Sequence, residues 1–248
     1  MDILTTPTHQ RAAYLFENYC FICKCERCLN QSDDDKMIGL RCSQAGCVGD
    51  VQRVESVEIN ETNLSSLLSQ TSWRCCSCNN VNFEKSIELI NKNMQVIENL
   101  SKQKVYNEND VEQADKVFKK LTSFCKNYSC YIHRAGAILS LAIINTMHDS
   151  APDNVLYTKF ERAFTVLTLI DISPQEKLFH CCLDHLYRKC SLAKLYLSLY
   201  PDPYRAIDML SSTQKYLSPF YSKNHRIMIQ IQELLNTHWT RVFIYNTQ

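Results

Sequence analysis

From Glu84 onward the apolar residues of the chain recur at intervals of three and four. Ile87, Ile90, Met94 and Ile97 share one face, as do Ala135, Ile138, Leu139, Ala142 and Ile143. Leu156, Phe160, Ala163, Phe164 and Leu167 repeat the pattern, and Phe179, Cys182, Leu183, Leu186, Cys190, Ala193 and Leu197 extend it. Turn formers interrupt it at KQKVYNEND, DSAPDN, DISPQ, YPDPY and LSPFYSKNH. The spacing predicts about six or seven helices joined by short loops, best arranged as an antiparallel array. Upstream the period is lost. THQRAAYLFENY (8–19) predicts an amphipathic helix with Thr8 as its N-cap after Pro7. LNQSDDDKM (29–37) reads as an acidic connector, with SDDDK solvated. Residues 40–83 predict a strand or two and a short helix between cysteine pairs.

One helix pair carries a repeat signal. Leu192-Ala193-x-x-Tyr196 with Ala206 on the next helix is similar to the tetratricopeptide (TPR) helix–turn–helix. Ala206 follows Ala193 by thirteen residues, one more than usual, and Pro201 and Pro203 in the turn can absorb the difference. An ordinary helical bundle is the alternative. The expected fold is therefore mainly α: a small cysteine-rich N-terminal module followed by an antiparallel TPR-like array. The boundaries read as 1–30 for the first cysteine segment, 31–83 for the second cysteine module and 84–248 for the helices.

Composition narrows the chemistry. The 248 residues are 45% hydrophobic and 21% charged with a net charge of +1. That is an ordinary globular balance, and it gives no global field to recruit nucleic acid or an anionic membrane. No apolar run approaches the roughly 18 residues of a membrane span. The segment MDILTTPTHQR does not read as a secretory signal, so the expected location is cytoplasmic and/or nuclear. The four glycines, Gly39, Gly46, Gly49 and Gly136, are too few and too scattered for a phosphate loop or dinucleotide turn. Kinases, GTPases and NAD-dependent oxidoreductases are poor matches.

Fourteen cysteines in a chain read as intracellular point to metal rather than disulfides. Cys75-x2-Cys78 is a zinc knuckle and Cys42-x4-Cys47 a looser one; together they predict a zinc ribbon, with Cys76 a bystander. The alternative is a small reduced cysteine-rich core. In YCFICKCERC, Cys23, Cys25 and Cys28 are too tightly spaced for two ordinary knuckles. They call for a fourth ligand, from Cys20 or from another domain. Cys125, Cys130, Cys181, Cys182 and Cys190 fall in helical segments and are expected as core thiols. His180 and His185 are expected at the surface or the edge of the core.

PTHQRAAYLFENYCFICKCERC resembles the junction after the catalytic SET domain in the SET-and-MYND (SMYD) family of protein-lysine methyltransferases. The match rests on Pro7, Arg11, Leu15, Tyr19, Phe21, Cys23, Cys25, Arg27 and Cys28. The RC-x4-C…WRC-x2-C insertion is similar to the branch with an extra cysteine pair, and the helical remainder fits the family's TPR-like C-terminal domain. The resemblance implies that Cys23, Cys25 and Cys28 bind zinc with one more cysteine from the SET core, and that Phe21 closes over the adenine of S-adenosylmethionine. It also implies a protein substrate or peptide partner on the helical domain. The family's SET core, with its Asn-His-Ser-Cys segment and late tyrosine, and its MYND finger have no counterpart in these 248 residues. The expectation is the C-terminal portion of such an enzyme, inactive alone, with S-adenosylmethionine bound only in a full-length form. A noncatalytic zinc-braced TPR-like scaffold is the second reading. A nucleic-acid-binding zinc protein is the third, disfavoured by the flat charge.

Overall fold

A computed structural model describes residues 7–29, 32–55, 71–147, 154–171, 183–199, 203–219 and 221–245. The chain is mainly helical, with one small sheet and a cysteine-rich N-terminal region. Among the described residues three helices precede the sheet: α1 (Thr8–Tyr19), α2 (Glu26–Leu29) and α3 (Ser32–Ile38). Strands β1 (Val51–Arg53) and β2 (Trp73–Cys75) pair antiparallel, with Val51 opposite Cys75 and Arg53 opposite Trp73. Seven helices follow among the described residues: α4 (Glu84–Ser101), α5 (Glu108–Phe124), α6 (Cys130–Met147), α7 (Asn154–Asp171), α8 (Leu183–Leu199), α9 (Tyr204–Leu217) and α10 (Arg226–Tyr245). None of the described helices is long and apolar enough to cross a membrane.

The chain packs as two compact units, Met1–Gln103 with Glu112–Gly136, and Lys104–Val111 with Ala137–Gln248. In the first unit the α4 face predicted from spacing is buried: Ile87, Ile90, Met94 and Ile97. The same unit contains the small sheet and joins it to the helices. Gly39 ends α3 at φ +57, and a side chain there would press on the Tyr128 ring at 3.0 Å. The chain then runs beside the end of α5. Leu40 forms a β-bridge with Cys125, Arg41 N–H donates to the Phe124 carbonyl at 2.8 Å, and Lys126 N–H donates to the Gly39 carbonyl at 2.7 Å. Arg41 Nε donates to the Cys125 carbonyl at 2.6 Å, and Lys126 pairs with Asp50.

In the second unit α7 through α10 pack in chain order, and α10 also touches α8. Phe160 and Phe164 of α7 both meet the Tyr196 ring of α8 edge-on, with centroids at 5.4 and 5.5 Å. Such pairs add about 0.5–1.5 kcal/mol beyond the area they bury. The repeat-signature residues Leu192, Ala193, Tyr196 and Ala206 are all buried, as are Ile138, Leu139, Ala142 and Ile143 of α6. Cys125, Cys130 and Cys190 are core thiols as expected, although Cys125 lies just past α5 in its bridge to Leu40 rather than within a helix. Phe179, His180, Cys181, Cys182 and the short helix expected between the cysteine pairs lie outside the described residues, as do the side chains of Leu156, Leu167, Leu183 and His185.

Two local expectations need correction. SDDDK is not a solvated connector. It begins α3, and both Asp34 and Asp35 are buried. Asp34 Oδ2 accepts the backbone N–H of Thr8 at 2.7 Å, and Asp35 pairs with Arg53. An isolated run of carboxylates prefers water, but each of these meets a donor that becomes adjacent only when α1 and β1 fold against α3. Thr8 is accordingly the first helical residue, with Pro7 in the cap position and Asp34 satisfying its buried N–H, which has no partner within the helix.

Candidate metal centres

The first centre is built by the β1–β2 pair. A β-bridge between Arg41 and Asp50 sets Cys42 beside the start of β1, and the strand register carries Cys75 opposite Val51. The second knuckle then turns tightly: Cys75 N–H donates to the Asn80 carbonyl at 2.9 Å, and Asn79 N–H to the Cys75 carbonyl at 3.0 Å. The result brings Cys42, Cys47, Cys75 and Cys78 together, with all four sulfurs within 4.8 Å of one another. Cys42 Sγ lies 3.5 Å from Cys78 Sγ, and Cys47 Sγ 3.6 Å from Cys75 Sγ. A zinc ion bound at 2.3 Å by four thiolates has S···S edges of about 3.8 Å. The spacing fits a tetrahedral ion. Cys76 is exposed and outside the group, as its position between the knuckle thiols predicts.

Backbone N–H groups surround these sulfurs. Gln44 N–H lies 3.5 Å from Cys42 Sγ, and Gly49 N–H serves Cys47. Cys78 and Ser77 both aim N–H groups at the Cys75 sulfur, holding its thiol down to about 6. Asn80 N–H favours a thiolate at Cys78, but burial and the adjoining thiols of Cys42, Cys75 and Cys47 outweigh it and push Cys78 up to about 12. Gly49 is the residue that sequence reasoning passed over. A Cβ there would lie 2.8 Å from Cys75 Sγ and would collide with Ser77, so only glycine lets the two knuckles close. Its signal was legible as the glycine two residues after Cys47.

The second centre lies between α1 and α3. Cys23, Cys25 and Cys28 place their sulfurs within 4.8 Å of one another. The turn into α2 does this: Cys28 N–H donates to the Cys25 carbonyl at 2.9 Å and Leu29 N–H to the same carbonyl at 3.0 Å. Cys20 is not in the group. It closes α1 in a left-handed conformation at φ 55, exposed, its N–H held by the Phe16 carbonyl. Arg11, buried, reaches the group from α1, donating to Thr8 Oγ1 at 2.6 Å and to Cys28 Sγ at 3.6 Å. Burial pushes the Cys28 thiol up to about 11 despite that guanidinium. Tyr19, Phe21 and Leu29, all exposed, flank the cysteine segment, Phe21 at 47%.

The donor sets therefore fit metal ions: four thiols in one group, three in the other. No protein-family profile matches the chain, and no curated protein matches it.

Proposed function

We propose that the chain is the C-terminal portion of a SET-and-MYND-like, S-adenosylmethionine-dependent protein-lysine methyltransferase. The observation that carries this reading is the run Pro7, Arg11, Leu15, Tyr19, Phe21, Cys23, Cys25, Arg27, Cys28, whose three cysteines converge and whose Phe21 stands exposed beside them. On this reading Cys23, Cys25 and Cys28 hold a zinc ion that a fourth thiolate of the SET core completes. The ion braces the loop, and Phe21 supplies one stacking face over the adenine of S-adenosylmethionine. S-adenosylmethionine, when bound, supplies the methyl group; the residues of this chain bind and position. Cys42, Cys47, Cys75 and Cys78 hold a second zinc, for which four thiols in a tetrahedron are the usual donor set. The helices of the second unit offer a surface for a protein substrate or peptide partner, in the cytoplasm or nucleus.

A zinc-braced TPR-like scaffold is the competing reading, favoured by the packing of α10 on both α8 and α9. That is the neighbour pattern of stacked helical hairpins. Sequencing the full transcript upstream of Met1 separates the two. An in-frame Asn-His-Ser-Cys segment supports the enzyme; an in-frame stop leaves the scaffold.

A further inference from the structure

Strand β2 has one paired edge and one open edge. Val54 N–H donates to the Ser72 carbonyl and Cys76 N–H to the Asp50 carbonyl, both at 2.8 Å. With Arg53 opposite Trp73 and Val51 opposite Cys75, that pattern turns the N–H and C=O of Trp73 and Cys75 away from β1. The knuckle turn uses the Cys75 groups: its N–H donates to the Asn80 carbonyl, and its carbonyl accepts Asn79 N–H. The Trp73 N–H and C=O meet no partner among the described residues. Neither does its buried indole Nε1. Beside this edge runs a groove of about 870 Å³, walled by β2 and the N-terminal half of α4. Phe83 and Ile87 are buried in its wall, while Val54 and Val81 line it at 41% and 54% exposure. Glu84 and Glu88, exposed and one turn apart on α4, line it too. No ion pair holds either carboxylate among the described residues, and Arg74 is the one cation among the described lining residues.

We propose that this groove binds an extended peptide segment rich in lysine or arginine, added as a third strand on the open edge of β2. An unpaired edge is a template for another strand. Main-chain hydrogen bonds to such an edge supply affinity, and the side chains around it supply selectivity. Trp73 offers one donor and one acceptor, the pair that a residue of an incoming antiparallel strand takes up. Val54 and Val81 add apolar contact. Glu84 and Glu88 repel one another at i, i+4 spacing. Cationic side chains placed beside them relieve that repulsion, so the groove selects a basic segment over an acidic one. The lining residues all belong to the first unit, so the inference stands apart from the methyltransferase reading and from its partner surface on the second unit.

The test titrates the full 248-residue chain, loaded with zinc, into a fluorescein-labelled peptide of alternating lysine and valine and follows anisotropy. One control peptide carries glutamate for every lysine; another keeps the lysines and is N-methylated at every residue. The expected result is saturable binding of the lysine peptide and none of either control. Glu84→Gln with Glu88→Gln, both at exposed helix positions, weakens binding roughly tenfold, the scale of two exposed ion pairs, with zinc content unchanged. The chain has two tryptophans, and the Trp239→Phe variant assigns their indole N–H resonances. The Trp73 resonance shifts when the lysine peptide binds. The proposal is overturned by any of four results: no binding of the lysine peptide, equal binding of the glutamate peptide, binding that survives full N-methylation or the double variant, or a chain that sediments as a dimer and takes up no peptide.

Discussion

Arg53 Nε lies 2.5 Å from Asp35 Oδ1, and Asp35 Oδ2 accepts the Arg53 backbone N–H at 3.0 Å, with both side chains 8% exposed. One carboxylate thus fixes both the main chain and the side chain of β1 to α3. The Arg53 guanidinium also sits 5.5 Å from the centre of the Trp73 ring on β2. Replacing Asp35 with alanine strands a buried guanidinium, and losing one partner of a buried pair costs about 3–5 kcal/mol. Urea unfolding of Asp35→Ala should show a loss of that order in the first unit. A change below about 0.5 kcal/mol, the usual range of a surface substitution, would mean the pair is solvated in solution.

Gly49→Ala is expected to damage the tetrad although it replaces none of the four cysteines. The new methyl meets Cys75 Sγ at 2.8 Å and Ser77 Cβ at 2.7 Å. Overpacking of this kind costs about 1–3 kcal/mol, and disturbing the groups that orient a ligand typically weakens metal binding by about 10–100-fold. Competition with a chromophoric chelator measures this directly. Wild-type zinc affinity in Gly49→Ala would show that the knuckles close with room to spare.

Much of this was legible in the sequence, and the division has a physical basis. Ligand spacing is local: a C-x2-C turn brings its own thiols together, so Cys75 and Cys78 could be chosen over Cys76 from three residues. Helical faces are local too, and Ile87, Ile90, Met94 and Ile97 are buried as their period predicts. Asp34 and Asp35 were not legible, because their partners Thr8 and Arg53 lie 26 and 18 residues away. The bond from Arg41 Nε to the Cys125 carbonyl spans 84 residues and has no pattern in the chain. The fourth ligand of the first cluster, Cys20 or a residue of another domain, was left open by the spacing, and Cys20 does not join the other three sulfurs.

Cys125 makes stability fall at alkaline pH. Burial pushes its thiol up from 9.0 to about 12, against the opposing pull of Ser129 and Arg41. Between those values the unfolded chain loses the proton that the folded chain keeps, so the folded state binds more protons and loses stability as pH rises. The loss begins above pH 9 and proceeds at up to about 1.4 kcal/mol per pH unit. Denaturation from pH 8 to pH 10.5 at fixed zinc should show it, and Cys125→Ala should flatten the slope. An unchanged slope in the variant would assign the alkaline loss to other groups.

These 248 residues alone are expected neither to bind S-adenosylmethionine measurably nor to methylate lysine. Methyl transfer needs the sulfonium methyl and a deprotonated amine held in line at near-attack distance, and that alignment supplies much of the rate. By resemblance, the walls of such a site belong chiefly to a SET core, and no Asn-His-Ser-Cys segment occurs in the sequence. Phe21, 47% exposed, offers a single stacking face. Stacking of an aromatic side chain on a base contributes about 1–3 kcal/mol, whereas even a millimolar Kd corresponds to about 4 kcal/mol. One lid therefore falls short of measurable affinity. Calorimetry with S-adenosylmethionine and a radiolabelled methyl assay on mixed protein substrates check both halves of the expectation. Micromolar binding, or turnover by this chain alone, would mean that its own residues complete the cofactor site and that Phe21 is one wall among several.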